Sequence, residues 1–291
     1  MSSRVLPQFE YLTPQSIPEA IGILKQYQGK VSILAGGTDL LIWNYIRKIN
    51  PAALLSLSSL PELDRLEFNP GEGLRIGARS KISSLLASSM IAEKYPALHE
   101  AALTFATPQI RNMATVVGNI MRGSPAGDCS CAILALGGQV VLEGPEGRRS
   151  VDIDDFWVGY GETARRSDEL AVELRIPAPG PGTRSAFHRL TRVHEDLAKI
   201  NVAVRLEMDR GVCRQARIAM GCVGPTLLRL KQTETVLAGA TLNEEILLQV
   251  AESARREIAP IDDQRSTAEY RRQVAGVILR RVIERAAEGR N

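Results

Sequence analysis

Residues 31–41 read VSILAGGTDLL, and the rest of the chain can be organised around them. The apolar run through Val31, Ile33 and Leu34 predicts a buried strand, and the segment 39–48 has the character of a helix. Between them Ala35, Gly36, Gly37 and Thr38 predict a sharp turn. Two adjacent glycines let the backbone bend tightly and come close to a ligand, because neither carries a Cβ. N–H groups exposed in such a turn, backed by a helix N-terminus, suit an anion such as phosphate. The spacing is neither G-x-G-x-x-G nor G-x-x-x-x-G-K-S/T, so the mechanisms tied to those motifs do not transfer.

A second stretch, residues 107–128, reads TPQIRNMATVVGNIMRGSPAGD. Thr115, Gly118 and Asn119 predict a small-residue polar bend, and Asp128 follows nine positions later. A carboxylate there can accept paired hydrogen bonds from a sugar hydroxyl or a base edge. Two such loops suit a long ligand with a pyrophosphate in its middle better than a lone phosphate.

With both stretches read, the chain resembles the FAD-binding medium subunit of the molybdenum hydroxylases, the family of xanthine dehydrogenase and carbon monoxide dehydrogenase. The matching segments are AGGTDLL at 35–41, QIRNMATVVGNI at 109–120, SPAGD at 124–128, FHRLTRVHEDLAK at 187–199 and STAEYRRQVAGVILRR at 266–281, in the family's order. The resemblance implies an α+β fold: a two-lobed N-terminal FAD-binding domain, then a C-terminal three-stranded antiparallel sheet with helices. It implies FAD with its pyrophosphate on Ile33, Leu34, Ala35, Gly36, Gly37, Thr38, Asp39 and Leu40, and on the loop bearing Thr115, Gly118 and Asn119. By the same resemblance Asp128 is a cofactor contact, and Phe105 aligns with an aromatic that lies against the flavin. Leu170 or Ala171 is the aliphatic neighbour of the ring system, and His188 or Arg189 is a cation beside it. A cation at the N1–C2=O edge favours the anionic reduced flavin. The implied partners are a small subunit with two 2Fe-2S clusters and a large molybdopterin subunit. Electrons would pass on to NAD, a quinone or another acceptor.

Composition agrees with these expectations. The chain has 291 residues, enough for two cored domains, and a net charge of +3 spread along it, too mild to argue for nucleic acid. The N-terminus lacks an apolar signal-peptide core, and no run reaches the ~20 apolar residues of a membrane span. Four cysteines without framework spacing point to a reducing compartment, and the cytoplasm is the expected location.

In chain order, residues 9–11 predict a strand. Ser16, Pro18 and Glu19 open a helix with a capping box, and its apolar face is Ile17, Ala20, Ile21 and Leu24. A strand at 53–57 completes a parallel βαβ unit. Hairpins are expected around 69–73 and 144–147, helix over 81–103 broken near Pro96, helix over 128–136 and strand over 169–176. The run PAPGPG at 177–182 marks the boundary between domains at 1–177 and 183–291. A meander of strands at 187–191, 201–208 and 212–220 follows, then helices at 226–237, 243–258 and 267–288.

Cys129 and Cys131 are one residue apart, not a metal-ligand spacing, and His99, His188 and His194 show none either, so no metal is expected. The resemblance adds that a cysteine-bearing insertion for an extra iron–sulfur cluster, found in 4-hydroxybenzoyl-CoA reductases, is missing between Asn119 and Ser124. Val117 stands where the family has a second glycine, and a β-branched residue resists positive φ. No His, Cys or Tyr lies in 33–40 or 115–119, so the FAD is expected to be non-covalent. Two rival readings are a scaffold subunit that has lost FAD and a stand-alone FAD oxidoreductase of related fold.

Overall fold

The computed structural model describes residues 8–289. The outer ends of the two expected domains, 1–7 and 290–291, lie outside the described residues. The first lobe comprises β1 (Glu10–Leu12), α1 (Ile17–Tyr27), β2 (Val31–Leu34), α2 (Leu40–Tyr45) and β3 (Ala53–Ser56). Its three strands are parallel in the order β1-β3-β2, so β3 lies between the two strands joined by α1. The Ser16 hydroxyl caps α1 by accepting from the Glu19 N–H, and Ile17, Ala20, Ile21 and Leu24 are the buried face. Glu19 reaches back to the Gln15 N–H at 2.7 Å rather than to Ser16 as a capping box requires. Helix α2 is shorter than the expected 39–48. It ends at Tyr45, and Arg47 has left-handed φ of 58°.

The second lobe holds β4 (Leu66–Asn69), β5 (Gly73–Gly77), α3 (Ile82–Leu86), α4 (Ser89–Lys94), α5 (Pro96–Thr104), α6 (Pro108–Arg111), α7 (Val116–Met121) and α8 (Asp128–Leu136). It continues with β6 (Gln139–Gly144), β7 (Gly147–Asp152), β8 (Trp157–Gly159), β9 (Glu162–Thr163) and β10 (Leu170–Ile176). Five strands form an antiparallel sheet in the order β4-β5-β10-β6-β7, with the two expected hairpins at its edges. The stretch expected to break only at Pro96 is three helices. The Ser88 hydroxyl accepts from the Ile91 N–H to start α4, and Pro96 starts α5. Helices α6 and α7 replace the expected loop, because Thr107 with Pro108, and then Thr115, cap two short turns of helix.

Residues 177–182 connect β10 to the C-terminal sheet of β11 (Thr183–Leu190), β12 (Ile200–Asp209) and β13 (Val212–Gly221). β14 (Leu228–Arg229) and β15 (Ala240–Thr241) add two short strands on β13. β14 occupies the start of the segment expected as helix, so α9 (Lys231–Leu237) begins only at Lys231. Helices α10 (Glu244–Glu257) and α11 (Ala268–Glu288) finish the chain.

Strand alternation gives this sheet two different faces. Ala186, Ile200, Val202, Val204, Leu206, Ile218 and Met220 join α9–α11 in the C-terminal core. Phe187, Ala203 and Ala219 face the other way and belong to the core of the N-terminal domain. Helix α8 lies on that second face and is buried along its whole length. Its C-terminal carbonyls are met by cations from the sheet: Arg205 donates to Leu136 O, and Arg217 to Ala135 O and Leu134 O. Positive charge at a helix C-terminus is favourable, and Gly137 closes the helix in the left-handed region. The N-terminus of α8 is thereby fixed at the junction of both lobes and the C-terminal sheet.

Candidate functional site

The glycine turn after β2 is shaped by its neighbours. A Cβ on Gly36 would stand 2.2 Å from Met113 O and 2.9 Å from Ala114 Cα, so only glycine lets this loop rest on the second one. Gly37 has φ of 71°, the left-handed region. Among the described residues, the N–H groups of Ala35, Gly36, Gly37, Thr38 and Asp39 donate to no protein acceptor. Ile33 and Leu34 lie in β2 and Leu40 opens α2, which frame the turn.

The second loop treats its polar groups differently. Thr115 is buried and its Oγ1 accepts from the Gly118 N–H at 3.0 Å, while the Val116 N–H donates to Ser80 O. Val117 is in α7 with helical backbone, its side chain in the core, so the positive φ that would have troubled it is not required. Asn119 Oδ1 accepts from the Ser130 N–H and hydroxyl at 3.2 and 3.0 Å, which leaves its amide nitrogen without a protein partner among the described residues.

Asp128, at the N-terminus of α8, meets the C-terminal sheet. Arg189 Nη1 donates to it at 3.0 Å and Asn201 Nδ2 at 2.8 Å. Both partners of the ion pair are only 5–6% exposed. Burial raises the Asp128 pKa to about 6, against the opposing pull of Arg189 and the hydrogen bonds from Asn201 and Arg189. Arg189 also donates to the carbonyl of His194, holding down the loop after β11. His188 points to the opposite face of the strand, where partial desolvation and then the charges of Arg285 and Arg281 on α11 lower its pKa. The alternation of β11 thus separates the two basic candidates, and Arg189 is the one beside Asp128.

Thr38, Asp39, Phe105, Asn119, Asp128 and Arg189 line a single cavity of about 200 Å³, together with Ala106 and Arg122. Thr115 and Gly118 stand behind it as cap and helix turn, and Leu170 and Ala171 are buried in β10 within the N-terminal core. A roomier groove of about 600 Å³ runs between α9 and α10, but no loop of unengaged backbone donors opens into it. Two lining residues were not legible beforehand. Ala106 adopts φ of 40°, and the Arg111 guanidinium braces it by donating to the carbonyls of Phe105 and Ala106. Arg122 caps α7 and stacks on Trp43, 3.8 Å from the ring centroid. Neither follows from residue type. An alanine in a left-handed turn and an arginine among many announce themselves only through contacts.

The four cysteines are free and buried. Burial raises the thiol pKa of Cys213 and Cys222 to about 11 and lifts Cys129 and Cys131 well above their usual range, as expected of inert structural thiols. No described helix is long and apolar enough to cross a membrane.

Comparison with known proteins converges on one family. The model of the FAD binding domain in molybdopterin dehydrogenase matches residues 7–179, and that of the CO dehydrogenase flavoprotein C-terminal domain matches residues 185–286. The chain is 34% identical to the carbon monoxide dehydrogenase medium chain of Hydrogenophaga pseudoflava, over 96% of this chain and 97% of that protein. It is 30% identical to the xanthine dehydrogenase FAD-binding subunit of Escherichia coli O157:H7, over 95% of each. Carbon monoxide dehydrogenase from Hydrogenophaga pseudoflava superposes with a TM-score of 0.94 at 34% identity, covering 97% of this chain and 98% of that one. The chain therefore belongs to the FAD-binding medium subunits of the molybdenum hydroxylase family.

Proposed function

We propose that FAD lies along the cavity between the two N-terminal lobes and the C-terminal sheet, with its pyrophosphate on the turn at 35–39. The observation that carries this reading is the set of unengaged N–H groups from Ala35 to Asp39, whose last two residues, Thr38 and Asp39, line the same cavity as Asn119 with its free amide. Backbone donors at a glycine turn suit an anion that must come close. On this reading Asn119 is aimed by Ser130, Phe105 supplies an apolar wall, and Arg189 and Asp128 anchor the C-terminal side. The domains divide at 177–183, and the FAD is non-covalent. When bound, FAD supplies chemistry no side chain here has: it takes up electrons singly and holds two.

The wider role follows from the chain being one subunit of a multi-subunit enzyme family. A small subunit with 2Fe-2S clusters delivers electrons from a large molybdopterin subunit, and NAD, a quinone or another acceptor removes them, in the cytoplasm. The purified chain should bind FAD and release all of it on acid precipitation. It should fail to bleach its flavin with purine, aldehyde or aromatic substrates, and reconstitution with the two partner subunits should restore bleaching. Substrate-driven bleaching by the isolated chain would mark a stand-alone oxidoreductase instead, and a colourless chain that takes up no FAD would mark a scaffold.

A further inference from the structure

Of the two arginines that line the cavity, Arg189 is neutralised by Asp128. Arg122 forms no ion pair among the described residues. The lining also carries Asp39, Glu195 and Asp196, and only Asp196 has a cation, Arg192, against it. A pyrophosphate therefore enters a lining richer in carboxylates than in free cations, and backbone N–H groups alone must overcome that field. Arg122 is placed to change this balance. It sits at the C-terminal cap of α7, on the second loop, and its guanidinium stacks on Trp43 of α2, the helix that follows the glycine turn. Lys48, just beyond α2, also stacks on Trp43, at 4.5 Å, so the indole is claimed by cations from both lobes. Stacking engages the flat face of a guanidinium and leaves its N–H edges free for a bidentate grip on phosphate oxygens.

We propose that Arg122, ordered by Trp43, is the cationic contact for the pyrophosphate of the flavin dinucleotide. The inference rests on the cavity being the FAD site. Arg122 then closes the ligand across the gap between the two loops, a charged complement to the neutral donors at 35–39.

The test is FAD titration of the full apo chain by flavin fluorescence at low and high salt, with a thermal melt of each apo variant. Arg122→Ala should weaken FAD binding about 10- to 150-fold, flatten the salt dependence of the dissociation constant and leave the apo melt unchanged. Trp43→Leu keeps the charge but loses its platform, so it should weaken binding less and keep the salt dependence. Arg122→Lys should recover part of the loss. Unchanged affinity in Arg122→Ala overturns the proposal. So does a loss that leaves the salt dependence intact or comes with a lowered apo melt, since that is a packing effect on Trp43. Asn119→Ala separates this from the underlying site assignment. If it too binds FAD normally, the cavity itself is misassigned; if it alone loses FAD, only the role of Arg122 falls.

Discussion

The two loops that meet at the cavity look alike in sequence, each a small-residue turn at the start of a helix, yet they are built on opposite plans. At 35–39 the backbone donors meet no protein acceptor among the described residues. At 115–128 several polar groups are engaged inside the protein, Thr115 with Gly118, Val116 with Ser80, the Asn119 oxygen with Ser130, and Asp128 with Arg189 and Asn201, which leaves the Asn119 amide and the Arg122 guanidinium edges free. One loop keeps its backbone donors free. The other is a buttress that fixes a few side chains and supports its neighbour, since Gly36 rests directly on the backbone at Met113. Polar residues in a loop therefore do not by themselves mark ligand contacts. What decides is whether the protein has already satisfied them.

The largest effect that could break this contrast is expected at Asp128. Asp128→Ala leaves Arg189 buried without its carboxylate and should cost about 3–5 kcal/mol of stability in chemical denaturation of the apo chain. A variant that folds normally and loses only FAD affinity would turn Asp128 back into a simple ligand residue. The same pair makes a pH prediction. Burial raises the Asp128 pKa to about 6 from an ordinary 3.8, so its contribution to stability is fully present below about pH 4 and is lost as pH rises through 6. Asp128→Asn cannot titrate, so its melting temperature relative to the parent should climb between pH 4 and pH 7. A relative fall over that range would mean that the attraction to Arg189 outweighs desolvation.

A smaller effect is expected at the contact between the loops. Gly36→Val places a Cβ against backbone atoms that cannot rotate away, at a cost of about 1–3 kcal/mol shared between folding and FAD affinity. Tight FAD binding by a fully stable Gly36→Val chain would show that the loops need not touch. Smallest is Thr115→Ala, which removes the cap of α7 and should lower stability by about 1 kcal/mol. Its FAD affinity should change little, in contrast to Asn119→Ala, and a large specific loss would give the Thr115 hydroxyl a ligand role.

The elements carrying strong periodic signals were legible in the sequence. Ser16 and its apolar stripe gave α1, the turns at 69–73 and 144–147 gave both hairpins, and the helix-like run at 128–136 gave the buried α8. The short helices α6 and α7 were not, because two turns of helix are too short to show a 3.6-residue period and rest on their caps. At the site, the glycine turn could be recognised locally because close approach and positive φ select glycine. The pairing of Asp128 with Arg189 joins residues 61 positions apart, and that Arg189 rather than His188 stands beside Asp128 depends on which face of β11 turns inward. Both arise from packing between domains, which a single sequence does not display.

The central claim is that the backbone N–H groups at 35–39 hold the ligand while the second loop supports them. Amide hydrogen exchange of the apo chain, with and without FAD, tests it directly by comparing the peptide covering 35–40 with the one covering 115–120. Unbonded amides exchange freely, so the first peptide should exchange fast alone and become strongly protected with FAD, while the second, already bonded internally, should change little. Protection confined to 115–120, with 35–40 still exchanging freely in saturating FAD, would contradict the account.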